Sequence, residues 1–73
     1  MYKEIENSSQ IESVHYDEYL LGLEVKFIKG TIYRYYDVPY YVFDELINAV
    51  SAGSYFNKNI ARKFKFKKVE WSG

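Results

Sequence analysis

The clearest periodic signal in this chain is a strict alternation of apolar and polar residues over positions 21–27. That period is typical of a half-buried β-strand. Gly30 follows, and residues 31–36 are rich in Thr, Ile and Tyr, which favour strands. Residues 11–16 alternate in part and indicate a shorter strand before this pair. The pattern therefore predicts a β-hairpin preceded by one strand.

Two loop lengths are compatible with the predicted hairpin. A loop of two residues places Arg34 opposite Val25. A loop of three residues that ends in Gly30, in the left-handed conformation of a bulge, places Arg34 opposite Glu24 and Tyr33 opposite Val25. The second register pairs opposite charges and sets apolar residues against each other, and it explains the glycine. We therefore prefer the three-residue loop.

A helix is predicted after the hairpin. Pro39 cannot continue a strand ladder and suits the start of a helix. The helix is expected from about Tyr40 to Ala52, with Gly53 as its C-cap. Its apolar face is formed by residues at helical spacing, namely Val42, Leu46, Ile47 and Val50.

The last third of the chain predicts a second helix and a final strand. Ser54 is a candidate N-cap for a short helix from Tyr55 to about Lys63. Phe64–Lys67 alternates and indicates a strand that reaches Val69 or Trp71. The predicted order is βββααβ, an α+β fold with one or two helices packed on one face of a small antiparallel sheet.

The length of 73 residues suits a single domain, residues 1–73. Residues 8–69 are expected to form its core, and the polar residues 1–7 are expected to be flexible. The chain has no cysteine and one histidine, His15, so disulfides, thiolate zinc sites and histidine-rich metal sites are excluded. No cofactor is indicated. Nine Tyr, five Phe and one Trp are expected to supply most of the core.

The chain also lacks the hydrophobic segments of membrane or secreted proteins. No apolar run approaches the roughly 18 residues that a membrane span needs. The first residues have no apolar core of a signal peptide. We therefore expect a cytoplasmic protein without a membrane partner.

Charge is distributed unevenly, although the net charge is zero. Residues 1–57 hold nine acids and four bases, a net charge of −5. Residues 58–73 hold six bases and one acid, a net charge of +5. This asymmetry indicates an anionic partner for the C-terminal end, or a basic tail that complements the acidic part of its own fold or is solvated.

Catalytic chemistry finds little support in the residue pattern. Ser13 and His15 could share a strand face, but no motif supplies an oxyanion hole or an orienting carboxylate. Asp44 and Glu45 are adjacent on the predicted helix and point in different directions. The glycines are scattered, so no phosphate-binding loop is present. We expect no catalytic residue.

The best binding pattern combines basic residues with aromatic rings. Lysine and arginine meet phosphates, while exposed rings stack on unpaired bases. Alternating Lys and Phe also fits an ordinary half-buried strand, and lysines at sheet edges commonly prevent aggregation through those edges. The residues that would bind RNA or another single-stranded nucleic acid are Asn57, Lys58, Arg62, Lys63, Lys65, Lys67 and Lys68.

An ordered set of motifs spans residues 8–69. It comprises Ser8-Ser9-Gln10-Ile11, Val14-His15-Tyr16-Asp17, Leu23-Glu24-Val25-Lys26-Phe27, Gly30, Tyr33-Arg34-Tyr35, Val38-Pro39 and Gly53-Ser54-Tyr55-Phe56-Asn57-Lys58-Asn59-Ile60. Together these motifs resemble the KTSC domain, which is named for the C-terminal domain of some lysyl-tRNA synthetases. The family also occurs as small stand-alone bacterial and phage proteins.

The resemblance implies a small binding module for which RNA binding has been suggested. It maps the family's central Tyr-x-Tyr onto Tyr33 and Tyr35, and a second aromatic motif onto Tyr55 and Phe56, as core or stacking rings. His15 stands where the family pattern has glycine. The leading hypothesis is RNA binding through the basic C-terminal segment. The alternative is a protein-interaction or self-associating module, and the oligomeric state stays open.

Overall fold

The computed structural model describes residues 1–69, which form a five-stranded antiparallel sheet and two helices. The strands lie side by side in chain order, so the first and last strands are the edges. This arrangement confirms the predicted α+β class, and the observed order ββββααβ has one strand more than predicted. The elements are β1 (Tyr2–Glu4), β2 (Ile11–Asp17), β3 (Gly22–Phe27), β4 (Ile32–Tyr35), α1 (Tyr40–Asn48), α2 (Ala52–Asn59) and β5 (Phe66–Val69).

The additional strand, β1, lies in the segment for which the pattern predicts no element. Its three side chains are exposed, so it has no hydrophobic period. Backbone pairing holds it instead, with Tyr2 opposite His15 in β2. The amino group of Met1 also donates to the carbonyl oxygen of Tyr16 at 2.8 Å. A strand held by its backbone alone leaves no signal in an apolar–polar pattern.

The central hairpin has the register that the charges favour. Glu24 pairs with Arg34 and Val25 pairs with Tyr33. Arg34 Nε donates to Glu24 Oε2 at 2.9 Å, and the second guanidinium nitrogen bonds the same oxygen. Gly30 closes the loop with a φ of 102°. The three-residue loop and its bulge glycine are confirmed.

Gly30→Ala should lower the free energy of unfolding by about 1–2 kcal/mol, because an L residue is strained at that positive φ. An added Cβ meets no atom within 4 Å, so the backbone alone causes the loss. Gly22→Ala is the matched control, since its Cβ also meets nothing and its φ is not positive. Urea unfolding measures both variants. Equal midpoints for the two would contradict the assigned role of Gly30.

One face of the sheet and the two helices enclose the core. Tyr16 is fully buried, and its hydroxyl donates to the carbonyl oxygen of Val38 at 2.6 Å. Phe56 of α2 meets Phe27 and Tyr35 edge to face, with ring centroids 5.5 and 5.6 Å apart. The other fully buried large side chains are Ile11, Leu23, Leu46, Ile60, Val14, Val25 and Val38.

Each of the two helices has at least one boundary that differs from the prediction. α1 starts after Pro39 as expected, but it ends at Asn48, well before Gly53. Gly53 lies inside α2, whose N-cap is Ser51 rather than Ser54. Ser51 Oγ accepts a hydrogen bond from the amide of Ser54 at 3.3 Å. Val50 is consequently 96% exposed in the connection, not on the apolar face of a helix.

The final strand begins later than the alternation predicts. It begins at Phe66, two positions after Phe64, and the described part ends at Val69. The alternative end at Trp71 lies outside the described residues. Among residues 1–69 no helix has the length and apolar character required to cross a membrane.

Candidate functional site

The sheet face that is not covered by helices, here called the open face, carries charges that are already paired. Glu24 holds Arg34, and Lys26 Nζ lies 3.2 Å from Glu12 Oε2. An anionic ligand would therefore find little free positive charge at its centre. One row of this face crosses all five strands and consists of Tyr2, His15, Glu24, Arg34 and Lys67.

His15 and Ser13 share the open face, as their strand spacing predicts, because they pair with Glu24 and Lys26 of β3. Ser13 is 5% exposed, and no hydrogen bond joins it to His15 within the described residues. The same part of the chain holds no group of three side chains able to bind a metal ion.

Residues 58–68, here called the basic segment, run from α2 through a turn to the edge strand β5. Lys58 lies on α2, and the turn after α2 carries two further bases. In β5, Lys67 lies opposite Arg34 on the open face, whereas Lys68 lies opposite Tyr33 on the helix-covered face. All the predicted binding residues are exposed, and the bases form no ion pair with another described residue: Asn57, Lys58, Arg62, Lys63, Lys65, Lys67 and Lys68.

The four aromatic residues of the predicted motifs have three different environments. Tyr35 and Phe56 are 4% and 3% exposed, which places both in the core. Tyr55 is half-buried and donates its hydroxyl to Glu45 Oε1 at 2.6 Å. Burial, and then this hydrogen bond, raise the pKa of Tyr55 to about 12. Tyr33 is half-buried, and of the four it alone lines an open cleft.

This cleft, here called the Tyr33 cleft, lies at the loop end of the central hairpin and has a volume of about 510 Å³. The ring of Tyr33 packs between Phe27 and Phe66, with centroids 5.7 and 5.5 Å away. Ile28 is 53% exposed and adds apolar surface. The cleft is lined by Ser9, Gln10, Phe27, Ile28, Lys29 and Tyr33.

The loop between β1 and β2 supplies the polar wall of the cleft. The Gln10 carbonyl oxygen accepts from the amide of Ile28 at 2.9 Å, which joins the loop to the hairpin. Ser8 Oγ accepts from the amides of Gln10 and Ile11, both at 3.0 Å. On its other side the loop packs on α2, where a Cβ on Gly53 would lie 3.3 Å from Ser8 Oγ. Gly53 therefore lies where the loop closely approaches α2, and it is not a helix cap.

The side chain of Gln10 is held less tightly than its backbone. Its amide contacts the amide of Asn57 in both directions at 3.5 Å, the limit of a hydrogen bond. Asn57, predicted as a binding residue, therefore borders the cleft through Gln10. The amide of Gln10 keeps a donor and an acceptor that can bond other groups.

Of the six cleft residues, the sequence predicts only Tyr33 as a site residue, and Phe27 is visible only as part of a family motif. Ser9 and Gln10 were visible only as part of a family motif, and Ile28 and Lys29 only as hairpin loop residues. An apolar residue beside a base in a tight loop is a weak signal. The cleft needs the loop, the hairpin and β4 together, and only the tertiary structure brings these segments into contact.

Comparison with known proteins identifies a family profile and several relatives. The sequence profile of the KTSC domain matches residues 7–64. A lysine–tRNA ligase of Nostoc punctiforme is 39% identical over 61 residues, 84% of this chain but 11% of the ligase. A protein of Tsukamurella paurometabola is 40% identical over 58 residues, 80% of this chain and 87% of that protein. This chain therefore spans only a small part of the ligase that it matches.

A solved structure agrees with the profile. The crystal structure of a KTSC domain protein from Yersinia pestis has a TM-score of 0.87 and 32% sequence identity to this chain. It covers 96% of this chain and 97% of its own. The matching profile, the relatives and the shared fold all give the same result: the chain belongs to the KTSC domain family.

Proposed function

We propose that this chain is a non-catalytic binding module that holds single-stranded RNA along its basic C-terminal edge. The observation that carries the proposal is that six exposed basic residues lie between Lys58 and Lys68, and that one of them, Lys68, lies opposite Tyr33, which lines the cleft. Lysine and arginine side chains that lack acidic neighbours attract phosphates, and a nearby aromatic cleft suits unpaired nucleobases.

The relatives agree with an RNA ligand. The matched segment forms part of enzymes whose name states that they ligate lysine to tRNA. The acidic remainder of the chain supports single strands over long duplex, because nine acids within residues 1–57 repel phosphates beyond the basic edge. Binding of this kind depends on salt and is modest in strength.

We expect the wild-type chain to bind short single-stranded RNA weakly at low salt and more weakly at physiological salt. If three or four bases reach phosphates, the slope of log K against log salt should be about −2 to −4. The double variant Lys65→Glu with Lys67→Glu should abolish this binding. A titration of labelled RNA, followed by fluorescence anisotropy at several salt concentrations, measures both forms.

The structure provides a matched control for this titration. Lys67 lies on β5 and Lys3 lies on β1, the opposite edge of the sheet, and both are exposed. Lys67→Glu and Lys3→Glu make the same change in net charge, so only the first should weaken binding. If wild type shows no binding at low salt, or the double variant binds equally well, the proposal is wrong.

Protein interaction is the second candidate, and exposed apolar side chains favour it. The β2–β3 turn exposes Tyr19 at 90% and Leu20 at 76%, and α1 exposes Tyr41 at 62%. The turn is joined to the start of α1, since the amide of Val38 donates to the Leu21 carbonyl oxygen at 2.8 Å. Exposed apolar groups of this kind are common at interfaces. Sedimentation of the wild-type chain over a range of concentrations tests self-association.

A further inference from the structure

We infer that the Tyr33 cleft holds one unpaired base of the RNA strand whose phosphates contact the basic segment. The inference rests on the proposed function and assigns a place and a contact set to the ligand. A volume of about 510 Å³ is in the range of small-molecule sites. The cleft is open to solvent at the loop end of the hairpin, so a base of a flexible strand can enter it.

Apolar and aromatic groups form one side of the cleft. Tyr33 is fixed between Phe27 and Phe66, so its ring is held in place before any ligand arrives. Ile28 exposes about half of its surface on the hairpin loop. A planar base that lies on these groups would bury apolar area and contact an immobilised ring, which limits the entropy lost on binding.

Gln10 can recognise the hydrogen-bonding edge of the base. Its backbone is held by Ser8 and Ile28, at 3.0 and 2.9 Å. Within the described part of the chain, its side-chain amide forms hydrogen bonds only to Asn57, and both are long at 3.5 Å. A base edge that offers an adjacent donor and acceptor can therefore replace those contacts at little cost.

Charge favours this cleft over the centre of the open face. Lys29 lines the cleft, and Lys68 lies opposite Tyr33 on the same side of the sheet. Among residues 1–69, no acid lines the cleft. On the open face, in contrast, Glu24 and Glu12 already neutralise two of the bases. An RNA strand that runs along β5 would thus place phosphates near Lys68 and a nucleobase beside Tyr33.

The test compares intact RNA with an abasic strand that has the same number of phosphates. Wild type should bind the intact strand about 5- to 150-fold more tightly, the range for loss of one base–aromatic stack. Tyr33→Leu should remove that difference and should bind both strands as wild type binds the abasic one. Gln10→Ala should reduce the difference in part. Tyr33→Phe, which keeps the ring, should retain it.

Controls separate this inference from the proposed function. Tyr19→Leu alters a tyrosine that is 90% exposed at the other end of the hairpin strands and should change nothing. Urea unfolding checks that Tyr33→Leu and Gln10→Ala both fold. Salt-sensitive binding with equal affinity for the two strands would refute the cleft and keep the basic edge. Absence of wild-type binding to either strand would refute both.

Discussion

Replacement of Tyr35 by alanine is expected to lower the free energy of unfolding by about 3–5 kcal/mol, the range for truncation of a buried aromatic side chain. Tyr35 is 4% exposed and pairs with Leu23 across the central hairpin. Its ring lies 5.6 Å from Phe56 and 5.5 Å from Phe66. Alanine would leave a cavity between the sheet and α2. Since small domains have total stabilities of about 5–15 kcal/mol, this loss is severe.

Urea unfolding at neutral pH measures the effect, with Tyr19→Ala as the control for loss of an exposed tyrosine. Tyr35→Phe should retain most of the stability at that pH. Burial raises the pKa of Tyr35 to about 12. Its contribution is therefore present below about pH 10 and is lost as the pH rises toward 12, and Tyr35→Phe should not show that loss. An unchanged midpoint for Tyr35→Ala, with lost RNA binding, would make this residue part of a binding surface instead of the core.

Phe56→Ala should have an effect of similar size, a loss of about 3–5 kcal/mol. Phe56 is 3% exposed and joins α2 to two strands through Phe27 and Tyr35. Phe56→Leu should lose less, because leucine keeps much of the apolar volume. Thermal or urea unfolding followed by circular dichroism measures both variants.

The resemblance leaves a stacking role open for Phe56, and the same variants decide between the two roles. If Phe56 has only a core role, Phe56→Leu should remain folded and should bind RNA with the wild-type salt dependence. If Phe56→Ala retained the wild-type midpoint, the ring would not be part of the core. Because Tyr35 and Phe56 are in contact, the two alanine substitutions should not be additive.

The hairpin shows how far local pattern extends in this chain. Strict alternation predicts β3, and the charge pair Glu24–Arg34 with Gly30 selects the register that the structure has. Strand period, turn conformation and cross-strand charge all act between neighbouring residues or paired strands. A sequence therefore contains enough information to choose between two registers.

The helix ends show where local pattern is ambiguous. Ser51 and Ser54 are both good N-cap residues, and Gly53 is a good C-cap residue by composition. The structure uses Ser51 as the N-cap, and Gly53 lies inside α2 in close contact with the Ser8 loop. That contact joins residues more than forty positions apart, and capping preferences contain no information about it.

The residue pattern is sufficient to predict the α+β class, the family, the central hairpin and the concentration of positive charge at residues 58–68. Only the folded chain shows that β1 completes the sheet, that Tyr35 is buried, and that Tyr33 lines a cleft with Gln10. The physical reason is the range of the interactions. Periodicity and charge are properties of short segments, whereas the cleft depends on a backbone hydrogen bond between Ile28 and Gln10 and on packing between segments distant in sequence.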